Sequence, residues 1–139
     1  MQDAALLIAR VGFGGLMFVA HGWGKMSKLL SGAEIQFADP IGIGMTASFV
    51  LAALAESVCA ALVVLGVFTR FNLLALMFTM FVAVFIVHGG SPLAKKELGL
   101  LFFTGYLTIF LIGPGTYTLQ RFISIRFKPK NKALAFLSK

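Results

Sequence analysis

Charge is scarce in this chain. Only 12% of its 139 residues are Asp, Glu, Lys or Arg, against about 25% in an ordinary soluble domain. Acid is scarcer still, with five acidic residues against twelve basic ones. There is one cysteine, Cys59, which excludes an intramolecular disulfide and any CxxC redox pair. Internal repeats and low-complexity segments are missing. No cleavable signal peptide is expected, because the first apolar stretch carries Arg10 and lacks an A-x-A-like end.

What fills the space is hydrocarbon. The composition is 59% hydrophobic and the mean hydropathy is +0.95. A soluble fold this small could not bury so much apolar surface, so the solvent that fits is lipid. The net charge of +7 is then read as membrane topology, not as a nucleic-acid footprint.

Four spans of about 20 residues fit the length. The first is expected over about Ala4 to Gly24, with glycines at Gly12, Gly14 and Gly15 and with Trp23 and Lys25 at the headgroup level. A loop over Ser27–Gly44 follows. The second span is expected over Met45–Thr69 and the third over Phe71–His88, stopped by Gly89-Gly90. Ser91-Pro92 reads as an N-cap with proline at the first helical position, which opens a fourth span ending at Ile112. The expectation is an all-α membrane protein: a four-helix transmembrane domain over 1–115 and a basic cytoplasmic tail over 116–139. An even number of spans puts both termini on one side. That side would hold eight cations (Arg10, Arg70 and six in the tail), and the other would hold Lys25, Lys28, Lys95 and Lys96. The imbalance predicts both termini inside.

Ionisable groups within spans are costly, so each is a functional-site candidate. They are Arg10, His21, Glu56, His88 and Glu97. Four of the five fall in the outer half of the predicted bundle, and Arg10 stands nearer the cytoplasm. Helical side chains lean toward their own N-terminus, so His21 and Glu56 approach one another and Arg10 and Glu56 lean apart. His21 is the preferred partner of Glu56, with Arg10 as the alternative. Arg10, Gly14, Met17 and His21 form one stripe. Ala52, Ala53, Cys59 and Ala60 flank Glu56 with the small side chains of a helix seam. Glu97 shares a face with Leu101, Thr104 and Thr108, expected to converge on the interior.

Each candidate also has a plain structural reading. Arg10 can snorkel to headgroups, His21 and His88 can be interface residues, and Glu97 can favour the positive end of its helix. Glu56 is mid-span and cannot snorkel, but it can belong to a purely structural buried pair. Cys59 reads as a small buried hydrophobe.

The run Leu7-Ile8-Ala9-Arg10-Val11-Gly12, leading to His21-Gly22-Trp23-Gly24-Lys25-Met26, resembles the first helix of the DoxX family of small four-helix bacterial membrane proteins. Ala55-Glu56 and Leu65-Gly66-Val67-Phe68-Thr69-Arg70 resemble its second helix and tight turn, and Glu97-Leu98 fits the opening of its last span. The resemblance covers about Ala4 to Gly113, and the basic tail lies outside it. It implies a multi-pass protein of the bacterial inner membrane. The family takes its name from a small subunit of a thiosulfate–quinone oxidoreductase or quinol oxidase complex, so it also points toward quinone-linked redox chemistry. It assigns no active-site residue.

The leading reading is a subunit or accessory of a membrane redox system, touching quinone, with the His and carboxylate side chains as hydrogen-bonding and proton-carrying groups. No dinucleotide or cluster motif is present, so a flavin or cluster would sit on a partner protein. The alternatives are a non-enzymatic binding or assembly protein and a small transporter with Glu56 as a proton-coupled carboxylate. No spacing demands a metal, although His21 and His88 at similar depth permit metal or haem ligation. The substrate and oligomeric state are not written in the sequence.

Overall fold

The computed structural model describes residues 1–127. Helix α1 spans Gln2–Leu30, α2 spans Met45–Leu65 and α3 spans Thr69–Val87; all three are long and apolar enough to cross a membrane. Helix α4 spans Leu93–Ile112 and α5 spans Leu119–Phe127. There is no strand among the described residues. At 1.5 Å per residue α4 is about as long as a bilayer core is thick, but Lys95, Lys96 and Glu97 occupy its first turns.

Several boundaries differ from the sequence reading: α3 opens at Thr69, not Phe71, and α4 opens at Leu93, with Pro92 and not Ser91 as its N-cap and no side-chain cap. The two larger differences have local reasons. Helix α1 does not stop at Gly24 but runs on to Leu30, which shortens the loop to 31–44. Its extension is held from below: Lys25 lies over the Phe37 ring at 6.0 Å and Lys28 over the Phe49 ring at 5.9 Å. Helix α2 stops at Leu65, four residues early. Gly66 takes the left-handed conformation, its N–H donates to Val63 O at 3.1 Å, and the Val67 N–H donates to Leu62 O at 2.9 Å. This paired closure is the Schellman stop, which glycine adopts without a Cβ penalty. Phe68, the single non-glycine residue with positive φ among the described residues, then turns the chain into α3. Asn72 Nδ2 holds that turn by donating to Val67 O at 2.8 Å and Phe68 O at 3.1 Å.

Small residues set the helix spacing. A Cβ on Gly22 would stand 2.1 Å from the Glu56 carbonyl oxygen, and one on Gly14 would stand 3.0 Å from the Ala60 oxygen, so α1 and α2 touch backbone to backbone. Gly105 of α4 similarly receives the Phe13 ring. The core is built where these helices meet, from Met17, Ala60, Val63, Leu73, Leu76 and Tyr106 among others. Tyr106 is fully buried and its hydroxyl donates to Phe13 O at 3.3 Å. Away from the core, Thr104 and Thr108 donate to the carbonyls of Leu100 and Thr104, at 2.9 and 2.8 Å, which satisfies these exposed hydroxyls within their own helix.

The tail is stitched to the bundle. Gly113 and Gly115, both at positive φ, turn the chain after α4. The Thr116 N–H then donates to Asp3 Oδ1 at 2.8 Å, and the Phe68 N–H donates to Gln120 Oε1 at 2.8 Å. Residues 128–139 of the expected tail lie outside the described residues.

Candidate functional site

The end of the bundle that carries the 31–44 loop holds a half-open cavity of about 470 Å³ between α1, α2, α3 and α4, lined also by Phe37, Ala38, Pro40 and Ile41 of the loop. Its wall is mostly aliphatic and aromatic. The polar groups on it include His21, Lys25, Glu56, His88, Lys95 and Lys96. An apolar hollow with a few convergent polar groups is the usual form of a small-molecule site.

Glu56 is its centre. The residue is 4% exposed and forms an ion pair with Lys25 Nζ. The expected partner, His21, is one helical turn away on the same stripe. Its ring instead meets the Phe102 ring edge-on, with centroids 6.0 Å apart, so its place is the cavity wall. Lys25, one turn further along α1, pairs with Glu56 through its long flexible arm. The stripe Arg10, Gly14, Met17, His21 extended by four residues gives Lys25. A span ending at Gly24 assigns that lysine to the headgroups; the longer α1 brings it to Glu56.

Arg10 is neither a headgroup snorkeller nor a partner of Glu56. It is completely buried, at the opposite end of the bundle. Its guanidinium donates to Val63 O and Val64 O, both at 3.4 Å, and to Tyr117 O. Those first two carbonyls belong to the last turn of α2, where partial negative charge collects and a cation is favoured.

His88 closes α3. Its Nδ1 bonds Ala83 O at 2.8 Å. A carbonyl only accepts, so in the neutral ring Nδ1 carries the proton and Nε2 is left as an acceptor. Glu97, by contrast, is exposed and absent from the cavity wall. The face it shares with Leu101, Thr104 and Thr108 points outward, since the buried residues of α4 are Phe102, Gly105, Tyr106 and Ile109. Lys95, two turns before Phe102, and Lys96 line the cavity in its place; Lys96 Nζ also donates to Gly89 O at 2.6 Å. The threonines do not mark an interior face, because each satisfies its hydroxyl within its own helix.

Arg10, His21 and Glu56 each lie in a stretch of helix widened to i→i+5 hydrogen bonding: Arg10–Gly14, Phe18–Gly22 and Ala55–Cys59. Such widened turns recur at functional sites. Among the described residues no three His, Cys, Asp or Glu side chains are grouped as metal ligands would be.

In the loop above the cavity, Asp39 accepts hydrogen bonds from the Gly44 N–H at 2.9 Å, the Ser48 hydroxyl at 2.9 Å and the Ile43 N–H at 3.0 Å. The Gly44 N–H is the largest of the influences that hold its carboxyl below the ordinary carboxylate range. These bonds tie the loop to the start of α2.

No curated protein and no solved structure matches the chain. One family model does: that of DoxX, over residues 5–89. The match takes in nearly all of α1 and the whole of α2 and α3, with Arg10, His21, Lys25, Glu56 and His88. Together with three helices able to cross a bilayer, it makes the chain a multi-pass membrane protein of the DoxX family.

Proposed function

We propose that this protein binds a lipid-soluble ligand with a hydrogen-bonding head, of the quinone class, in the loop-end cavity, as a small subunit or accessory of a quinone-linked redox system in the bacterial inner membrane. In this reading α4 is the fourth span, both termini are cytoplasmic and the cavity faces the outer leaflet. The observation that carries the reading is the pair of half-buried Lys25 and buried Glu56 on the wall of a 470 Å³ apolar hollow. A pair serving only to hold helices together needs no cavity beside it. A quinone ring presents two carbonyl acceptors on a flat apolar body. Lys25 and the imidazoles of His21 and His88 are the donors and acceptors that could meet such a head, and Glu56 is a proton acceptor beside them. Electrons would come from a partner protein.

The test is binding of a short-chain quinone to the full chain in nanodiscs, by calorimetry. Saturable binding near one per chain is expected, weakened at least tenfold by Glu56→Gln and by Lys25→Met with helicity unchanged. Absence of saturable binding, or binding indifferent to both substitutions, would refute the reading and leave the pair to an assembly role.

A further inference from the structure

Helix α5 is amphipathic the wrong way round for a helix that simply packs on its own protein. Its polar side meets the bundle: Gln120 accepts from the Phe68 N–H, and Gln120 and Ser124 are half-buried. Its apolar side faces away, with Phe122 at 69% and Ile125 at 68% exposure. At 100° per residue, Leu119, Phe122, Ile123 and Ile125 fall on one broad arc, with Arg126 among them and Arg121 at its edge, and Gln120 and Ser124 fall on the opposite one.

The position of this helix is fixed. Asp3 holds Thr116 and Arg10 holds Tyr117, so the chain entering α5 is pinned at the end of the bundle opposite the cavity, where three helices long enough to cross a membrane begin or end. Its charge is one-sided. Arg121 and Arg126 lie on the helix, Lys128, Lys130, Lys132 and Lys139 follow in the sequence, and no acidic residue occurs anywhere over 116–139.

We infer that α5 is an interfacial helix that docks its apolar face into the headgroup region of the bilayer the protein occupies, and that it takes anionic lipid there. The apolar side chains enter the acyl boundary and the arginines meet phosphate oxygens, which is the physical signature of a helix lying in the membrane plane. A protein partner with an acidic groove would satisfy the same charge. The lipid surface is favoured because the stitched end places the helix at the level of the headgroups of its own membrane.

The test uses the full chain with Cys59→Ser, one chain per nanodisc, and a single environment-sensitive fluorophore on a cysteine at Phe122 or at Ser124. Discs contain either phosphatidylcholine alone or 30% phosphatidylglycerol. With phosphatidylglycerol, the label at 122 should be quenched by nitroxide lipid at least threefold more than the label at 124, and shielded from aqueous iodide. Arg121→Gln with Arg126→Gln, or 0.5 M salt, should cut that quenching at least twofold. Equal quenching at 122 and 124, or a label at 122 that iodide reaches freely in both lipids, would overturn the inference and point to a protein partner. Quenching that is the same in both lipids and indifferent to the arginines would overturn its anionic part.

Discussion

Four glycines of α1 offer a controlled experiment, because the structure separates them sharply. A Cβ on Gly22 would lie 2.1 Å from the Glu56 carbonyl oxygen, 2.5 Å from its carbonyl carbon and 2.8 Å from Ser57 Cα. The nearest approach is about 1.3 Å short of the 3.4 Å at which ordinary contact begins, and every obstructing atom is backbone. No side chain can step aside, so Gly22→Ala must push α2 away from α1 or bend one of them. Overpacking of this kind costs typically about 1–3 kcal/mol, and the rigid obstruction places this case at the upper end. On Gly12, Gly15 or Gly24 a Cβ meets nothing within 4 Å. There alanine only gains helix propensity, up to about 1 kcal/mol. The expected spread between Gly22→Ala and Gly12→Ala is therefore about 3–4 kcal/mol in opposite directions. It can be measured by reversible unfolding in mixed micelles of dodecylmaltoside and SDS. Opening the seam at residue 22 also draws Lys25, less than one turn on, away from Glu56, so cavity binding should weaken along with stability. If Gly22→Ala and Gly12→Ala unfold at the same detergent fraction, the backbone contact between α1 and α2 is not what sets their spacing, and the placement of Glu56 fails with it.

Three further outcomes follow from the geometry. Lys25→Met should cost about 3 kcal/mol, the low end of the range for breaking a buried pair, because the lysine keeps part of its surface; Lys25→Met with Glu56→Gln should recover most of it in a double-mutant cycle, and additive losses would mean the pair is not coupled. Asp39→Asn should loosen the 31–44 loop at neutral pH, read as faster hydrogen exchange at Gly44 and Ser48. Because the folded carboxyl titrates below its unfolded value, the wild-type advantage is present above about pH 4 and should fade as pH falls through the folded value; an advantage that grows in acid would reverse the sign of the argument. For topology, a cysteine at Ser31 in a Cys59→Ser background should react with an impermeant thiol reagent in intact cells and one at Ser124 should not, the opposite pattern placing the loop inside.

The helices were legible because hydrophobic runs are local signals; their ends were less so, since Gly66 stops α2 inside the span expected to reach Thr69, and Pro92, not Ser91, is the N-cap of α4. The burial of Glu56 was legible for a similar reason: a carboxylate among alanines in mid-span has nowhere else to go. Its partner was not, because the choice between His21 and Lys25 depends on where α1 ends. That end falls at Ser31, where Gly32 follows at positive φ, and the Phe37 and Phe49 rings lie beside the lysines of the added turns. Arg10 was placed on its own side of the bundle by depth alone, but its acceptors are carbonyls at Val63, Val64 and Tyr117. Backbone oxygens carry no residue-type signal, so no reading of side chains could have found them. The outward turn of Glu97 was hidden by Thr104 and Thr108, whose hydroxyls are satisfied within the helix itself and so do not report which way the face points.

The acceptors of Arg10 also impose an order on biogenesis. They lie 53, 54 and 107 residues further along the chain. The ribosome therefore delivers α1 to the membrane carrying a guanidinium whose acceptors in the folded protein have not yet been synthesised. An arginine at a helix centre opposes insertion by about 2.5–3.5 kcal/mol, less toward the ends, and until α2 emerges that charge can be met only by water, headgroups or the translocon. Two acceptors arrive with residues 63 and 64. The third arrives with residue 117, after α4 has been made. Helix α1, made before α2, α3 and α4, is thus the one whose final seating comes last, and a nascent chain released before residue 117 leaves it with its arginine incompletely bonded.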